Sequence, residues 1–197
     1  MEELNQQLDF IMELDRLKGI YRQTTVKSDN DRFENSAEHS WQISLAAHIL
    51  QKYAVEDVNI TRVMNMLLIH DIVEIDAGDL FAFSADHDHA AQEDKEMAAA
   101  IRIFGLLPEK QFQQFKTLWL EFENAKSIDA RFAKAMDRLL PLLQNMRNEG
   151  GSWVRHKIKK SQVLKRNNYL QGLAPGLWLY VCEQVDIAVA KGWLINE

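Results

Sequence analysis

Residues 67–79 read LLIHDIVEIDAGD, and the fold turns on how this stretch is wound. Leu67, His70, Val73 and Glu74 recur at three- and four-residue spacing, the repeat of one face of an α-helix. His70 and Glu74 therefore fall where a packed helix normally carries apolar side chains. The stretch holds five ionisable groups in all: His70, Asp71, Glu74, Asp76 and Asp79. Burying such groups is costly unless something pairs with them.

The same helical period runs through the rest of the chain, and no run alternates convincingly with period two, so the expected fold is all-α. Helices are expected over roughly 3–18, 36–54, 57–75, 89–105, 109–124, 127–148, 152–170 and 176–192. Ser36 suits the cap of the second, Gly105 the end of the fourth and Pro108 the first turn of the fifth. Gly150-Gly151 and Pro175-Gly176 break the chain before the last two. The segment TTVKSDNDRFEN, residues 24–35, has no apolar period and is expected to be a polar loop leading into the second helix.

Composition sets the frame. With 197 residues, 47% of them hydrophobic and 26% charged, the chain suits one soluble domain spanning 1–197. A net charge of -6 gives no general attraction to nucleic acid or to an anionic membrane. The single cysteine has no internal partner, the start MEELNQQLDF lacks the basic and apolar regions of a signal peptide, and no run reaches membrane-spanning length. A cytoplasmic location is expected.

Two further helices bring polar groups inward. His39 shares a stripe with Ile43, Ala46 and Leu50, whereas His48, nine residues on, belongs to another face and is a poor co-ligand. Asp137 lies beside Ala133, Met136 and Leu140 in DARFAKAMDRLLPLLQNM. Pro141 removes the amide donor that the Asp137 carbonyl would use, so a kink is expected there. His39, His70, Asp71 and Asp137 together offer two imidazoles and two carboxylates, a donor set suited to one divalent ion among Mn, Fe, Co, Ni or Zn, with positions left for water.

These residues resemble the H…HD…D signature of the HD-domain metal-dependent phosphohydrolases, which are all-helical bundles with a metal site buried between helices. The likeness extends through LDRLKGIYR, ENSAEHSWQISLAAHIL, HDIVEIDAGDL and LLPEKQFQQFKTLWLEFENAKSIDARFAKAMDRL to the branch that contains 5′-deoxynucleotidases. The core motifs span 22–137, and the C-terminal helices over 152–192 add little to the resemblance. It implies that Glu74 and Asp79 are catalytic carboxylates, that Arg22 binds the substrate phosphate, and that Mg joins the candidate ions. A homodimer is implied as well. The pattern departs at Gln23, where the bacterial 5′-deoxynucleotidases carry a tryptophan associated with choosing deoxyribose.

The expected reaction is hydrolysis of a nucleoside 5′-monophosphate, a deoxyribonucleoside one by resemblance, with Glu74 and Asp79 sharing the proton transfers. Other phosphoesterases of the superfamily, a triphosphohydrolase or a cyclic-nucleotide phosphodiesterase, would use the same ligands. A silent metal- or ligand-binding module is the reading from outside enzymology. Lesser features weigh less: Arg32 is a second basic candidate, ADHDHAA at 85–91 looks like a further metal cluster, and RHKIKKSQVLKR at 155–166 reads as a solvated helix face. Trp153, Trp178 and Trp193 suit either the core or an interface.

Overall fold

The computed structural model describes residues 1–197, the side chains of 86–90 excepted. Helix dominates. The chain opens with α1 (Glu2–Glu13), which tightens into a 3-10 segment, Leu14–Gly19, so the expected first helix changes its winding after its third turn. Then comes a departure from the all-helical expectation: the polar stretch forms an antiparallel hairpin, β1 (Tyr21–Val26) and β2 (Arg32–Asn35), with Thr25 opposite Phe33 and Tyr21 opposite Asn35. Asn30 and Asp31 turn the chain at positive φ, which their short polar side chains tolerate better than most. The buried members of this hairpin include Thr24, Thr25 and Glu34, so its inner face carries no apolar alternation to detect.

The helices α2 (Ser36–Leu50) and α3 (Ile60–Ile69) follow. Asn35, not Ser36, caps α2: its side chain accepts from the Glu38 amide, and Glu38 reaches back to the Asn35 amide in a capping box. Ser36 is thereby freed for another task. The decisive stretch is not one helix. It runs as the end of α3, a 3-10 segment His70–Val73, and the single turn α4 (Glu74–Ala77). Leu67, His70, Val73 and Glu74 are nevertheless all buried, as the stripe requires.

Next come α5 (Asp86–Phe104), α6 (Glu109–Asn124) and α7 (Ile128–Arg147), the last capped by the Ser127 hydroxyl and unbroken through Pro141. The expected helix over 152–170 is divided into α8 (Gly151–His156), α9 (Lys160–Asn167) and α10 (Leu170–Leu173). The cause of the first break is a competing partner for the backbone. Lys157 takes positive φ, and the Ile158 carbonyl and Lys160 amide pair with Ile195 near the C-terminus, at 3.0 and 2.8 Å. The chain closes with α11 (Pro175–Ala190).

One apolar cluster joins α2, α3 and α7 to the C-terminal helices, with Phe132, Met136, Leu142 and Trp153 buried in it and Trp178 and Trp193 packed against it. A second joins α1, α4, α5 and α6 through Phe10, Ile103, Phe104 and Trp119. The tryptophans of the C-terminal part therefore serve the core. The 3-10 segment at His70 contributes to the second cluster through Ile72 and Val73, while α2 and α7 belong to the first, so the polar groups of the three meet between the two. Among the described residues no helix is long and apolar enough to cross a membrane.

Candidate metal centre and catalytic cavity

His39 leaves α2, His70 and Asp71 leave the 3-10 segment and Asp137 leaves α7, and their side chains converge. His39, His70 and Asp137 each offer a ligand atom, all within 4.8 Å of one another. His39 Nε2 lies 3.0 Å from Asp137 Oδ1, and His70 Nε2 lies 2.9 Å from Asp71 Oδ1 and 3.7 Å from Asp137 Oδ1. Asp71 stands outside the tight trio, with Oδ2 accepting from Arg22 at 2.8 Å. His48 is exposed on the far side of α2, as its phase requires.

The donor set fits a cation. His70 Nδ1 lies 2.8 Å from the Leu67 carbonyl, an acceptor only, so Nδ1 carries the proton and Nε2 faces the cluster. That Nε2 is buried and without a hydrogen-bond partner among the described residues, although carboxylate oxygens stand around it. On the other side of His39, Glu34 Oε2 sits 3.4 Å from Nδ1; Glu34 also accepts from Thr24 at 2.9 Å and from Gln144 at 2.6 Å. Both rings thus have an acceptor on the Nδ1 side, hydrogen-bonded in His70 and only a near neighbour in His39, and present Nε2 to the same point.

Charge points the same way. The Arg22 guanidinium stands within 4 Å of five carboxylates: Asp71 at 2.8 Å, Asp79 at 3.7 Å, Asp137 at 3.8 Å, and Glu34 and Glu74 at 3.9 Å. One guanidinium cannot neutralise five carboxylates. Burial works to raise the Asp137 carboxyl, yet the two imidazoles hold it well below the usual range. Burial pushes the His70 imidazole down, and the negative charges of Asp71 and Asp137 more than reverse this, to about 10. The cluster demands positive charge, which a divalent ion would supply without desolvating a proton carrier.

Glu74 and Asp79 stand at the edge of this cluster. Burial raises both carboxyls, and the charge of Asp71 raises them further. Ser36, relieved of capping, donates to Glu74 Oε2 at 2.5 Å. Asp79 follows Gly78, whose φ of 76° and ψ of 156° lie in backbone space that is essentially glycine's own, so the chain turns sharply out of α4 to bring Asp79 back. Gln92 holds that turn by donating to the Gly78 carbonyl at 2.8 Å.

A cavity of about 160 Å³ opens on the cluster, lined by Arg22, Asp71, Glu74, Asp79 and Asp137. Its remaining walls are Gln23 and Thr24 of β1, the Leu80–Phe83 segment, and α7, α8 and α9. Gln23 is tied down: its side chain meets His156 Nε2 at 3.1 Å, and Arg155 donates to its carbonyl. His156 in turn lies against Phe81, ring centroids 4.3 Å apart. Arg32 is elsewhere, exposed and paired with Asp29 and Glu38. The 85–91 cluster lies largely outside the described side chains.

Sequence reasoning passed over Glu34, Ser36, Arg138, Arg166 and Asn167. Arg166 ends the basic run read as a solvated face and Asn167 follows it, yet both line the cavity and Asn167 is buried. A signal was present, since Val163, Arg166, Asn167 and Leu170 repeat the spacing that exposed His70. Glu34, in a hairpin without apolar period, offered none.

A helix-dominated chain with an inward-facing His/His/Asp cluster beside paired carboxylates and a small cavity has the make-up of a metal-assisted hydrolase. A family model described as HD domain matches residues 14–178, and the chain belongs to that family. It is similar over 99% of its length to a solved protein described as a predicted metal-dependent phosphohydrolase from Magnetospirillum magnetotacticum MS-1, with 46% identity, 97% of that chain covered and a TM-score of 0.92. The 5′-deoxynucleotidase yfbR of Photorhabdus temperata is 32% identical over 79% of this chain and 81% of its own. The human 5′-deoxynucleotidase HDDC2 is 29% identical over 70% of this chain, a match that spans 65% of the human protein.

Proposed function

We propose that the chain, acting as one domain over 1–197, is a metal-dependent phosphomonoesterase that hydrolyses nucleoside 5′-monophosphates. The observation that carries the reading is the convergence of Glu74 and Asp79, both with raised carboxyls, on the edge of the His39, His70 and Asp137 cluster, in a cavity that Asp71, Glu74, Asp79 and Asp137 line together. Two carboxyls pushed upward by burial suit one acid and one base near neutral pH. The likeness to 5′-deoxynucleotidases favours a 5′-monophosphate as the ester.

His39, His70, Asp71 and Asp137 would hold one divalent ion among Mn, Co, Fe, Ni, Zn and Mg, which supplies a Lewis acid for the phosphoryl oxygen and a more acidic water. Arg22 offsets the negative charge of the reacting phosphate and keeps the Asp71 carboxylate in place. Of Glu74 and Asp79, one takes the proton of the attacking water and the other gives a proton to the leaving 5′ oxygen. Ser36 orients the Glu74 carboxyl for that exchange, and Gly78 and Gln92 hold the turn that presents Asp79. Phe81, Phe83 and Trp153 line the cavity beside these groups and limit the access of bulk water.

The same reading takes the protein as cytoplasmic and as a homodimer. Trp41, Leu45 and Ile49, exposed at four-residue spacing on α2, would give a second copy an apolar row to cover. The test of function is phosphate release from ribo- and deoxyribonucleoside 5′-monophosphates with Mn, Co, Mg or chelator, on the wild type and on Asp71→Ala. Metal-dependent release that disappears in the variant supports the reading, and the ribo-to-deoxy ratio reports what Gln23 selects. Glu74→Ala should lose turnover while keeping its metal; unchanged turnover would remove Glu74 from the mechanism.

A further inference from the structure

Arg166 is a cation in the cavity wall that no carboxylate among the described residues pairs with. It lies on α9 between the buried Val163 and Leu170 turns, half-buried itself, and lines the same cavity as Asp71, Glu74, Asp79 and Asp137. Among the described residues no carboxylate stands within 4 Å of it, whereas Arg22 across the cavity is within that distance of five. Arg22 is in effect committed to the protein's own acids. Arg166 is free.

Its position is built. Arg138, one residue after Asp137 on α7, donates to the Arg166 carbonyl at 3.0 Å and stacks on the Tyr169 ring at 4.8 Å. Tyr169 itself donates to the Lys134 carbonyl of α7 at 2.9 Å. These bonds fasten the end of α9 to the helix that carries Asp137 and fix the point from which the Arg166 side chain reaches out. Beside it the Asn167 amide donates to the Val163 carbonyl at 3.0 Å, leaving a buried Oδ1 with no partner among the described residues. A half-buried guanidinium with no counter-charge among the described residues is costly when left unmatched and marks a wall completed by an anion, whereas the Asn167 Oδ1, an acceptor, calls for a donor elsewhere on the ligand. Burial pulls the Arg166 guanidinium below its ordinary value, and the charge of Asp137 acts against that pull.

We infer that Arg166 is a substrate-binding residue that takes the phosphate dianion by charge-assisted hydrogen bonds, a task the Arg22 guanidinium can share only in part because it is engaged by five carboxylates. The inference rests on the phosphomonoesterase reading for its substrate. A guanidinium is the group whose planar donors match two phosphate oxygens at once, and a dianion entering beside Asp137 needs a positive group on that side to offset the carboxylate. The C-terminal helices, which the motif resemblance barely reaches, thereby supply part of the site.

The test is calorimetric titration of the metal-loaded full chain with inorganic phosphate, for the wild type, Arg166→Gln, Arg166→Lys and the exposed neighbour variant Lys165→Ala. Loss of a charge-assisted contact predicts phosphate binding about 10–100-fold weaker in Arg166→Gln. Arg166→Lys should fall between, and Lys165→Ala should match the wild type. The KM for the best 5′-monophosphate should rise in parallel, while metal content stays constant. Phosphate affinity within twofold of wild type in both Arg166 variants overturns the inference, as does a wild type that binds no phosphate. Weakened binding of the unphosphorylated nucleoside with phosphate binding intact also overturns it, because Arg166 would then read the nucleoside. A wild type that binds phosphate through Arg166 but releases none from any 5′-monophosphate keeps this inference and removes the proposed function instead.

Discussion

Glu34→Gln changes one atom and should undo the metal centre from behind. Glu34 Oε1 accepts from Gln144 at 2.6 Å, and Oε2 accepts from Thr24 at 2.9 Å while facing His39 Nδ1 at 3.4 Å. As a carboxylate it offers only acceptors, so it can hold the His39 proton on Nδ1 and leave the Nε2 lone pair for an ion. With Gln144 donating as it does in the wild type, the amide oxygen faces Gln144 and the NH2 group faces Thr24 and His39. Thr24 can rotate its hydroxyl to accept, but a protonated Nδ1 would meet a second donor. The better arrangement moves the ring proton to Nε2, where Asp137 Oδ1 at 3.0 Å accepts it. A proton then sits on the atom that should bind the ion. Loss of such a supporting carboxylate typically weakens a metal site 10–100-fold, about 1.4–2.7 kcal/mol. The fold should tolerate the change, because Arg22 keeps four other carboxylates within 4 Å. Calorimetric titration of chelator-stripped protein with Mn gives the affinity, and nitrogen NMR of the metal-free His39 ring gives the tautomer. Folded Glu34→Gln protein with Mn affinity within twofold of wild type would refute the reasoning, as would an unchanged tautomer. A wild type that binds no divalent ion would refute the metal centre before Glu34 is reached.

Further outcomes follow from the same geometry. Gly78→Ala meets no atom within 4 Å, so its cost is backbone strain alone, about 1–3 kcal/mol. For a chain of this size that lowers the melting temperature by roughly 2–12 °C, and turnover should fall further than stability explains because Asp79 is displaced; an unshifted melting curve would show the turn to be unstrained. Glu96→Gln should reveal a pH-dependent penalty. Burial, then the charge of Glu123, raises the folded Glu96 carboxyl to about 7 against 4.5 for the free group. Stability from this group is therefore greatest below pH 4.5 and declines as pH rises to about 7. The variant should gain on the wild type across that window and hold its gain above it. Glu96 is half-buried, so solvent screening cuts the ~3 kcal/mol of the full shift to about 1 kcal/mol. Denaturant melts of chelator-treated protein at pH 5 and pH 8 measure it, and an equal difference at both would contradict the assignment.

The sequence made the site legible where polar residues interrupt an apolar period. His39 and His70 stood out because each occupies a core position on its stripe, and burial of both follows. The criterion survived an error in the winding: residues 57–75 are not one helix, but a 3-10 segment keeps three- and four-residue neighbours close enough to share a face. The hairpin at 21–35 escaped it because the inner face is polar. Thr24 and Glu34 are buried for their bonds to each other and to Gln144, which lies far along the chain and which no local period announces. Ser36 was misplaced by one residue for a related reason. Asn35 and Ser36 are both good caps, and the choice falls to Asn35 because Glu74, 38 positions on, claims the serine hydroxyl.

Arg166 extends that lesson. Its spacing with Val163, Asn167 and Leu170 marked it as inward-facing, yet the basic neighbours in RHKIKKSQVLKR gave the run the look of a solvated surface. Composition averaged over the run outweighed phase within it. The break at Lys157 separates the two, because it ends α8 and lets α9 start in a new direction, with Lys160 and Lys165 turned outward and Arg166 turned to the cavity. That break depends on Ile195 pairing with the Ile158 carbonyl, so the orientation of a cavity residue is set in part by the last few residues of the chain. Shortening the chain before Ile195 should thus loosen α9 and weaken phosphate binding while leaving the His39, His70 and Asp137 cluster, anchored in α2, the 3-10 segment and α7, able to take its metal.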